Sequence, residues 1–107
     1  MSKAYELGLY EKAMPGTLTW KERLEAAKAA GYDYVEISID ATEEKIARLD
    51  MDRESRLELV KTMYETGIPI RTMCVSALTK YAIGSSDEAC CARGMAILEK
   101  SLQLADD

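Results

Sequence analysis

The sequence contains no histidine, which removes the commonest general base and the commonest transition-metal ligand of proteins. A nucleophile–base pair would therefore have to use Lys or Glu as its base. Basic residues are also outnumbered: 14 Lys and Arg stand against 19 Asp and Glu, for a net charge of −5. Because nucleic acids and anionic membrane surfaces bind grouped Lys and Arg, this balance excludes both as expected partners.

Long apolar runs are absent as well. No run approaches the roughly 20 residues that cross a bilayer, and residues Met1–Glu6 lack the apolar core of a signal peptide. The three cysteines are an odd number, and Cys90 and Cys91 are adjacent. That pattern favours reduced thiols over a disulfide framework. We therefore expect a cytoplasmic protein.

Strand and helix patterns alternate through the first half of the chain. A strand is predicted over Tyr5–Tyr10. A helix follows, with a capping box at Thr19 and Glu22 and a stop at Gly31. The second strand, Tyr34–Ile39, alternates strictly, so that its three aliphatic residues share one face.

The second half repeats this order. Thr42 is predicted to cap a short helical turn, and Asp50 or Asp52 a longer helix that ends at Gly67. A third strand runs from Ile68 to about Ser76. The last helix is predicted to start with a capping box, and each of the two long helices is predicted to turn four residues inward. The capping box is Ser85 with Glu88, and the inward positions are Leu57, Val60, Met63 and Tyr64, then Ala92, Met95, Leu98 and Leu102.

A repeat of helix, glycine, strand and loop underlies this order. Gly31 and Gly67 precede the second and third strands, and 67 − 31 = 36 residues. Strands and helices that alternate at this interval predict right-handed crossovers and a parallel sheet, hence an α/β fold. Three strands leave both sheet edges unpaired, and a closed (β/α)8 barrel needs about 250 residues. A doubly wound sheet also usually has more strands than this, so we expect a chain that is either a fragment or completed by association.

Acidic residues at strand ends are the first candidate site residues, because sites of parallel α/β folds form at the carboxyl ends of the strands. Glu11 follows the first strand, Glu36 interrupts the second, and Asp40 ends it. The structural alternative pairs Glu36 with a neighbouring Lys or Arg and makes Asp40 an ordinary turn residue. Lys80 and the predicted cap at Ser85 could bind phosphate, although Ser is a common cap.

Five segments together resemble a known family. They resemble the opening of the L-ribulose-5-phosphate (L-xylulose-5-phosphate) 3-epimerases, which belong to the xylose-isomerase-like TIM barrels. The likeness extends over nearly the whole chain, and the motifs stand in the right order and spacing. The segments are Leu7-Gly8-Leu9-Tyr10-Glu11-Lys12-Ala13, Gly31-Tyr32-Asp33-Tyr34-Val35-Glu36-Ile37-Ser38-Ile39-Asp40, Arg48-Leu49-Asp50, Met73-Cys74-Val75-Ser76-Ala77 and Gly84-Ser85.

The resemblance implies an isomerase that interconverts L-ribulose 5-phosphate and L-xylulose 5-phosphate by proton transfer at C3 through an enediolate. In the family a divalent metal (Mn, Zn or Mg) and two glutamates carry the chemistry, and they lie on strands 4 to 8. We therefore expect residues 1–107 to be the N-terminal part of one barrel domain, three consecutive βα units, inactive alone. No catalytic residue and no metal ligand is expected in this chain.

Substrate contacts are what the resemblance implies for this part of a barrel. Glu11, Glu36 and Ser76 match the front of the family's site. Lys80 is the one basic residue in a loop where the family typically has His and Arg, so a phosphate contact from this loop is less secure. The predicted substrate-binding residues are thus Glu11, Glu36, Ser76 and Lys80, and the partner is a phosphorylated ketopentose.

Two other interpretations remain open. The chain could be a non-enzymatic partial barrel that forms homo-oligomers through its exposed sheet edges or pairs with a missing half. It could also be a small phosphate-binding domain, an idea that rests only on Lys80 and the cap of the last helix.

Overall fold

The structure, a computed structural model, describes residues 5–107. Residues 1–4, part of the segment considered for a signal peptide, lie outside the described residues. Strands and helices alternate along the chain, as predicted. They are β1 (Gly8–Tyr10), α1 (Trp20–Ala29), β2 (Tyr34–Ser38), α2 (Glu43–Ile46), α3 (Arg53–Thr66), β3 (Ile70–Cys74) and α4 (Glu88–Asp106), with short 3-10 turns at Glu11–Ala13, Ala47–Asp50 and Ser76–Thr79.

The strands form one sheet in the order β1-β2-β3. β1 runs parallel to β2, with Tyr10 opposite Glu36. On the other side of β2, the Val35 N–H donates to the Pro69 carbonyl at 3.0 Å. The α/β fold with a parallel sheet is therefore confirmed. It is incomplete as a barrel, and β1 and β3 are the edges of the described sheet.

The chain divides into two compact units. The first contains the described residues up to Ile37 together with Arg53–Thr72. Its core consists of four buried side chains, and Trp20, Met63 and other half-buried apolar residues pack against them. Helices α1 and α3 contact each other here. The four are Leu24, Ala27, Val35 and Ile68.

The second unit contains Ser38–Asp52 and Met73–Asp107. Its core also has four buried side chains, against which half-buried apolar residues pack, among them Ile46 of α2, Leu78 of the Ser76–Thr79 turn and Leu104 of α4. The four are Ile39, Leu49, Ala77 and Ile97.

The signals that start and stop α1 are confirmed. The Thr19 hydroxyl accepts from the Glu22 N–H at 3.2 Å, and the Glu22 carboxylate accepts from the Thr19 N–H at 2.9 Å. Gly31 and Gly67 have φ angles of +89° and +76°, a conformation that favours glycine and ends a helix. Thr42 caps α2, as predicted, by accepting from the Lys45 N–H.

The predicted inward face of α3 is only half right. Met63 packs on the core of the first unit, but Leu57 is 55% exposed and Tyr64 is 85% exposed. Thr66 is buried instead, and its hydroxyl donates to the Thr62 carbonyl at 2.9 Å. A threonine whose hydroxyl is satisfied within the helix can occupy a core position, which an apolar count does not detect.

The predicted capping box of α4 is wrong. Asp87 is the N-cap, and its carboxylate accepts from the N–H groups of Ala89 and Cys90 at 3.0 and 3.3 Å. The Ser85 hydroxyl accepts from the Asp87 N–H at 3.1 Å and so shapes the turn before the helix. A carboxylate at this position also complements the positive end of the helix dipole.

The predicted inward face of α4 is displaced by one residue. Gly94, Ile97 and Ser101 are buried, whereas Met95 and Leu102 are exposed. Small residues hold the core face because the Tyr81 carbonyl comes close to Gly94, and the Ser101 hydroxyl donates to the Ile97 carbonyl at 2.7 Å. Met95, half-buried Leu98 and Leu102 recur at i, i+3 and i+7. We call these three residues the outer stripe.

Gly94→Ala is expected to destabilise the protein although alanine is the better helix former. A Cβ at this position would lie 2.2 Å from the Tyr81 carbonyl oxygen, which is backbone and cannot rotate away. The overpacking should cost about 1–3 kcal/mol and exceed the propensity gain of about 1 kcal/mol. Urea denaturation measures the difference. The control is Ala92→Gly on the exposed side of α4, which should lose only about 1 kcal/mol. A Gly94→Ala variant as stable as the parent would contradict the packing.

The capping box predicts a pH dependence. Hydrogen bonds from the Thr19 backbone and side chain lower the pKa of Glu22 below its usual range. The ionised form therefore stabilises α1 above the unfolded pKa, and this contribution is lost as the pH falls through the folded pKa. In denaturant titrations, the stability difference between the parent and Glu22→Gln should shrink as the pH falls below about 4. Gln can still accept the cap bond, so a difference independent of pH would contradict this role for the charge.

Candidate active site

Glu11 lies at the carboxyl end of β1 and opens a 3-10 turn. Its side chain is 2% exposed and forms an ion pair with Arg23 of α1, with 3.3 Å between Oε2 and Nη1. The Arg23 guanidinium also donates to the Gly16 carbonyl at 3.1 Å and stacks on the Trp20 ring at 4.9 Å. One arginine thus links the end of β1, the following loop and the first turn of α1.

Glu36 lies in β2 beside the end of β1. Its carboxylate accepts a hydrogen bond from the Thr72 hydroxyl at 2.8 Å. Among residues 5–107, no Lys or Arg forms an ion pair with it. The structural alternative, in which a basic neighbour neutralises Glu36, is therefore wrong for the described residues. An ionised carboxylate has about four acceptor positions, so one hydroxyl leaves most of its capacity unused.

Ser76 lies just beyond β3 and opens the 3-10 turn Ser76–Thr79. Its hydroxyl oxygen is buried and has no hydrogen-bond partner within residues 5–107. The Ser76 carbonyl, by contrast, accepts from the Thr79 hydroxyl at 2.7 Å. A buried hydroxyl without a partner costs about 1–3 kcal/mol, so this one calls for an explanation.

Lys80 is exposed and lies near a second cation that sequence reasoning did not identify. The Lys80 ammonium is 5.3 Å from the centre of the Tyr81 ring, and the Arg93 guanidinium is 4.5 Å from the same centre. Arg93 also forms an ion pair with Glu43 at 2.6 Å, which raises the pKa of Arg93. No short motif links residues 81 and 93, because their proximity depends on how the loop folds back onto α4.

The loop that carries Lys80 is attached to α4 by two thiols. The Cys90 thiol donates to the Lys80 carbonyl at 3.3 Å, and the Cys91 thiol donates to the Ile83 carbonyl at 2.8 Å. Neither cysteine forms a disulfide, and Cys74 does not form one either. The adjacent cysteines therefore hold the backbone of a candidate site loop.

Asp40 has a local role. Its carboxylate accepts from the Thr42 N–H at 2.9 Å and from the Thr42 hydroxyl at 2.6 Å, and it forms an ion pair with Lys45 at 3.9 Å. These contacts organise the turn that leads into α2, as the structural alternative for this residue predicts.

The described residues do not fit a metal ion. Within residues 5–107, no three Cys, Asp or Glu side chains are grouped so that they could hold one. Glu11 is paired with Arg23, and Asp40 with Lys45. Residues 5–107 thus contain no such group for the divalent metal implied by the family resemblance, and no catalytic step is assigned to that metal. None of the described helices is long and apolar enough to span a membrane.

Comparison with known families identifies the barrel type. Residues 24–107 match the model of the xylose isomerase-like TIM barrels. The chain belongs to this family. The three parallel βα units of the structure are consistent with that assignment, since such a barrel is built from eight repeats of this unit.

Curated relatives of this TIM-barrel chain include sugar-phosphate epimerases. The chain is 47% identical over 107 residues to the L-ribulose-5-phosphate 3-epimerase UlaE of Escherichia coli O139:H28 and to that of Shigella boydii serotype 18. The same identity relates it to the putative L-ribulose-5-phosphate 3-epimerase UlaE of Shigella dysenteriae serotype 1. The match covers 100% of this chain but 38% of each relative. The resemblance predicted from the motifs is confirmed, and the chain spans about two fifths of these relatives' length.

The Glu11–Arg23 pair of this barrel segment should be costly to break on one side only. Arg23→Met leaves the Glu11 carboxylate buried without its cation, which should destabilise the protein by about 3–5 kcal/mol. The double variant Glu11→Leu/Arg23→Met removes both charges and should recover most of that loss. Chemical denaturation of the four proteins in the cycle measures the coupling.

The control for this cycle is an exposed pair on the same helix. Lys21 and Glu25 are 3.9 Å apart and more than half exposed, so Lys21→Met should change stability by no more than about 0.5 kcal/mol. If Arg23→Met were equally mild, the buried pair would not hold the loop after β1.

Proposed function

We propose that this chain supplies the first three βα units of a sugar-phosphate epimerase that interconverts L-ribulose 5-phosphate and L-xylulose 5-phosphate. In this proposal residues 1–107 belong to one barrel domain. The observation that carries it is the 47% identity to L-ribulose-5-phosphate 3-epimerases, which extends over all 107 residues. The proposed reaction moves the proton at C3, which the neighbouring C2 carbonyl makes acidic. The proton-transfer groups and any divalent metal belong to other strands of the barrel.

Glu36 is proposed to accept hydrogen bonds from sugar hydroxyls. Its carboxylate bonds one neutral hydroxyl, that of Thr72, and no cation of the described chain competes for it. A carboxylate held by a neighbouring side chain presents its remaining lone pairs in a fixed direction, which suits the recognition of a polyol.

Ser76 is proposed to contact substrate directly. Its buried hydroxyl lacks a partner in the described chain, and it follows β3 at the strand end where TIM barrels place their sites. A substrate hydroxyl or phosphate oxygen would satisfy it. This would explain why the position holds a serine although its side chain makes no internal hydrogen bond.

Lys80 and Glu11 are proposed to act in different ways. Lys80 is an exposed ammonium on a loop held by Cys90, and it can approach a phosphate group. Glu11 is buried against Arg23, so its proposed contribution to substrate binding goes through the loop that this pair holds.

A chimeric enzyme tests the proposal. This chain replaces the matched segment of Escherichia coli UlaE, and conversion of L-xylulose 5-phosphate is measured. If the proposal is right, the chimera epimerises. A folded chimera without turnover, beside an active parent enzyme, would refute the proposed function. The isolated 107-residue chain is expected to show no turnover with Mn²⁺, Zn²⁺ or Mg²⁺.

Glu36→Gln in that chimera is expected to raise KM. Losing a charged acceptor for a substrate hydroxyl costs about 1.5–3 kcal/mol, which corresponds to about 10- to 100-fold in affinity. Steady-state kinetics measure KM and kcat separately. The matched control is Glu58→Gln on the exposed surface of α3, which should leave both unchanged. Equal effects of the two substitutions would contradict a substrate contact for Glu36.

A non-enzymatic module that associates with copies of itself is the second candidate, and the exposed Leu102 and Met95 favour it. Its discriminating measurement is the mass of the isolated chain in solution, since a monomer at micromolar concentration would exclude it.

A further inference from the structure

Glu36 and Thr72 occupy equivalent positions in the repeat of helix, glycine and strand. Each stands five residues after the glycine that ends the preceding helix, since 36 − 31 = 5 and 72 − 67 = 5. The strands that carry them, β2 and β3, are neighbours in the sheet. The Thr72 hydroxyl donates to Glu36 Oε2 at 2.8 Å. The repeat therefore places a hydroxyl beside the carboxylate of the preceding strand.

Hydrogen-bond donors and acceptors are unequal in this pair. A threonine hydroxyl has one proton to donate, and Thr72 spends it on Glu36. A carboxylate only accepts hydrogen bonds. The pair therefore presents oxygen lone pairs alone, and a ligand that binds it has to supply the donors, as a sugar hydroxyl does.

The basic residue next to Thr72 in the chain does not offset the charge of Glu36. Arg71 forms an ion pair with Glu6, and its guanidinium lies 5.4 Å from the centre of the Tyr34 ring. No Lys or Arg of the described chain forms an ion pair with Glu36. A phosphate dianion at Glu36 would thus meet a like charge without a cation between them, whereas a neutral hydroxyl would not.

The pair is open to a ligand and partly ordered in advance. Glu36 is half-buried and Thr72 is exposed. A long glutamate side chain loses rotamer freedom when it binds a ligand, and a hydrogen bond already made removes part of that cost. Threonine suits this role because its branched Cβ restricts χ1, so its hydroxyl is a stiffer support than that of serine.

We infer that Thr72 is a positioning residue that holds Glu36 for sugar hydroxyls, and that this pair binds the hydroxyl-bearing end of the substrate and not its phosphate. The inference rests on the proposed function, because the ligand is the ketopentose phosphate proposed there. It adds an orientation: the phosphate at C5 lies away from Glu36.

Thr72→Val in the UlaE chimera tests the positioning role. Valine keeps the branched shape but cannot donate, so KM for L-xylulose 5-phosphate should rise about tenfold, while kcat should change little. Thr72→Ser keeps the hydroxyl and should recover most of the affinity. The matched control is Thr62→Val, which removes a hydroxyl that bonds the Glu58 carbonyl within α3 and should leave KM unchanged.

The Glu36→Ala background separates positioning from a general structural effect. If Thr72 acts through the carboxylate, Thr72→Val should have little effect on KM once that carboxylate is absent. An equal rise of KM in both backgrounds, or no rise beside an intact Glu36, would overturn the positioning role.

Competitive inhibition tests the orientation, with L-xylulose and inorganic phosphate as the probes. Thr72→Val should raise the inhibition constant of L-xylulose about tenfold and leave that of inorganic phosphate unchanged. If the constant for phosphate rose as much as that for L-xylulose, the assignment of the hydroxyl end would be wrong.

Turnover and binding separate this inference from the proposed function. An active chimera in which Thr72→Val matches the parent would overturn the inference and leave the function standing. A folded chimera without turnover would refute the function, and calorimetric titration with L-xylulose would then decide the inference. Binding that Thr72→Val weakens would support it, whereas unchanged binding or none would overturn it.

Discussion

The alternating segment 34–39, which is β2 and the residue after it, contributes to both packed cores. Its alternation places Val35 in the core of the first unit and Ile39 in the core of the second, and both side chains are fully buried. The opposite face presents Glu36, beside the end of β1. A register shift of one residue would bury Glu36 among aliphatic side chains and expose the two core residues, so the hydrophobic pattern fixes the register.

Glu11, directly after β1, and Glu36, within β2, show how their surroundings give two glutamates different roles. Glu11 is buried with Arg23, whose other hydrogen bond and ring contact hold the loop and α1. Glu36 has only a hydroxyl partner in the described chain. A buried ion pair roughly balances desolvation against attraction, so Glu11–Arg23 contributes more to the conformation of the loop than to net stability. A carboxylate with unused acceptor capacity is instead available to a ligand.

The sequence predicted the features that depend on neighbouring residues. The Thr19–Glu22 capping box, the glycine stops and the alternation of β2 follow from local chemistry, and the ordered motifs identified the family. The phase of α4 was mispredicted because Gly94 and Ser101 occupy its core face, and apolar periodicity ignores small residues. That choice depends on the approach of the Tyr81 carbonyl. The partner of Glu36 and the pairing of Arg93 with Tyr81 likewise join residues far apart in the chain.

The exposed outer stripe of α4 and the unpaired hydroxyl of Ser76 both cost the chain free energy. A chain that folds to completion buries its apolar stripes and pairs its buried polar groups, because each exception costs free energy. Such exceptions occur at both ends of the described chain: the outer stripe, the free edge of β3 and the Ser76 hydroxyl on one side, and the free edge of β1 and the buried Arg23 Nε on the other. Glu11 and Arg23, near the start, form an ion pair, although the Arg23 Nε is buried with no hydrogen-bond partner within residues 5–107. Under the proposed function, a substrate bound by the barrel would supply the missing partner of the Ser76 hydroxyl.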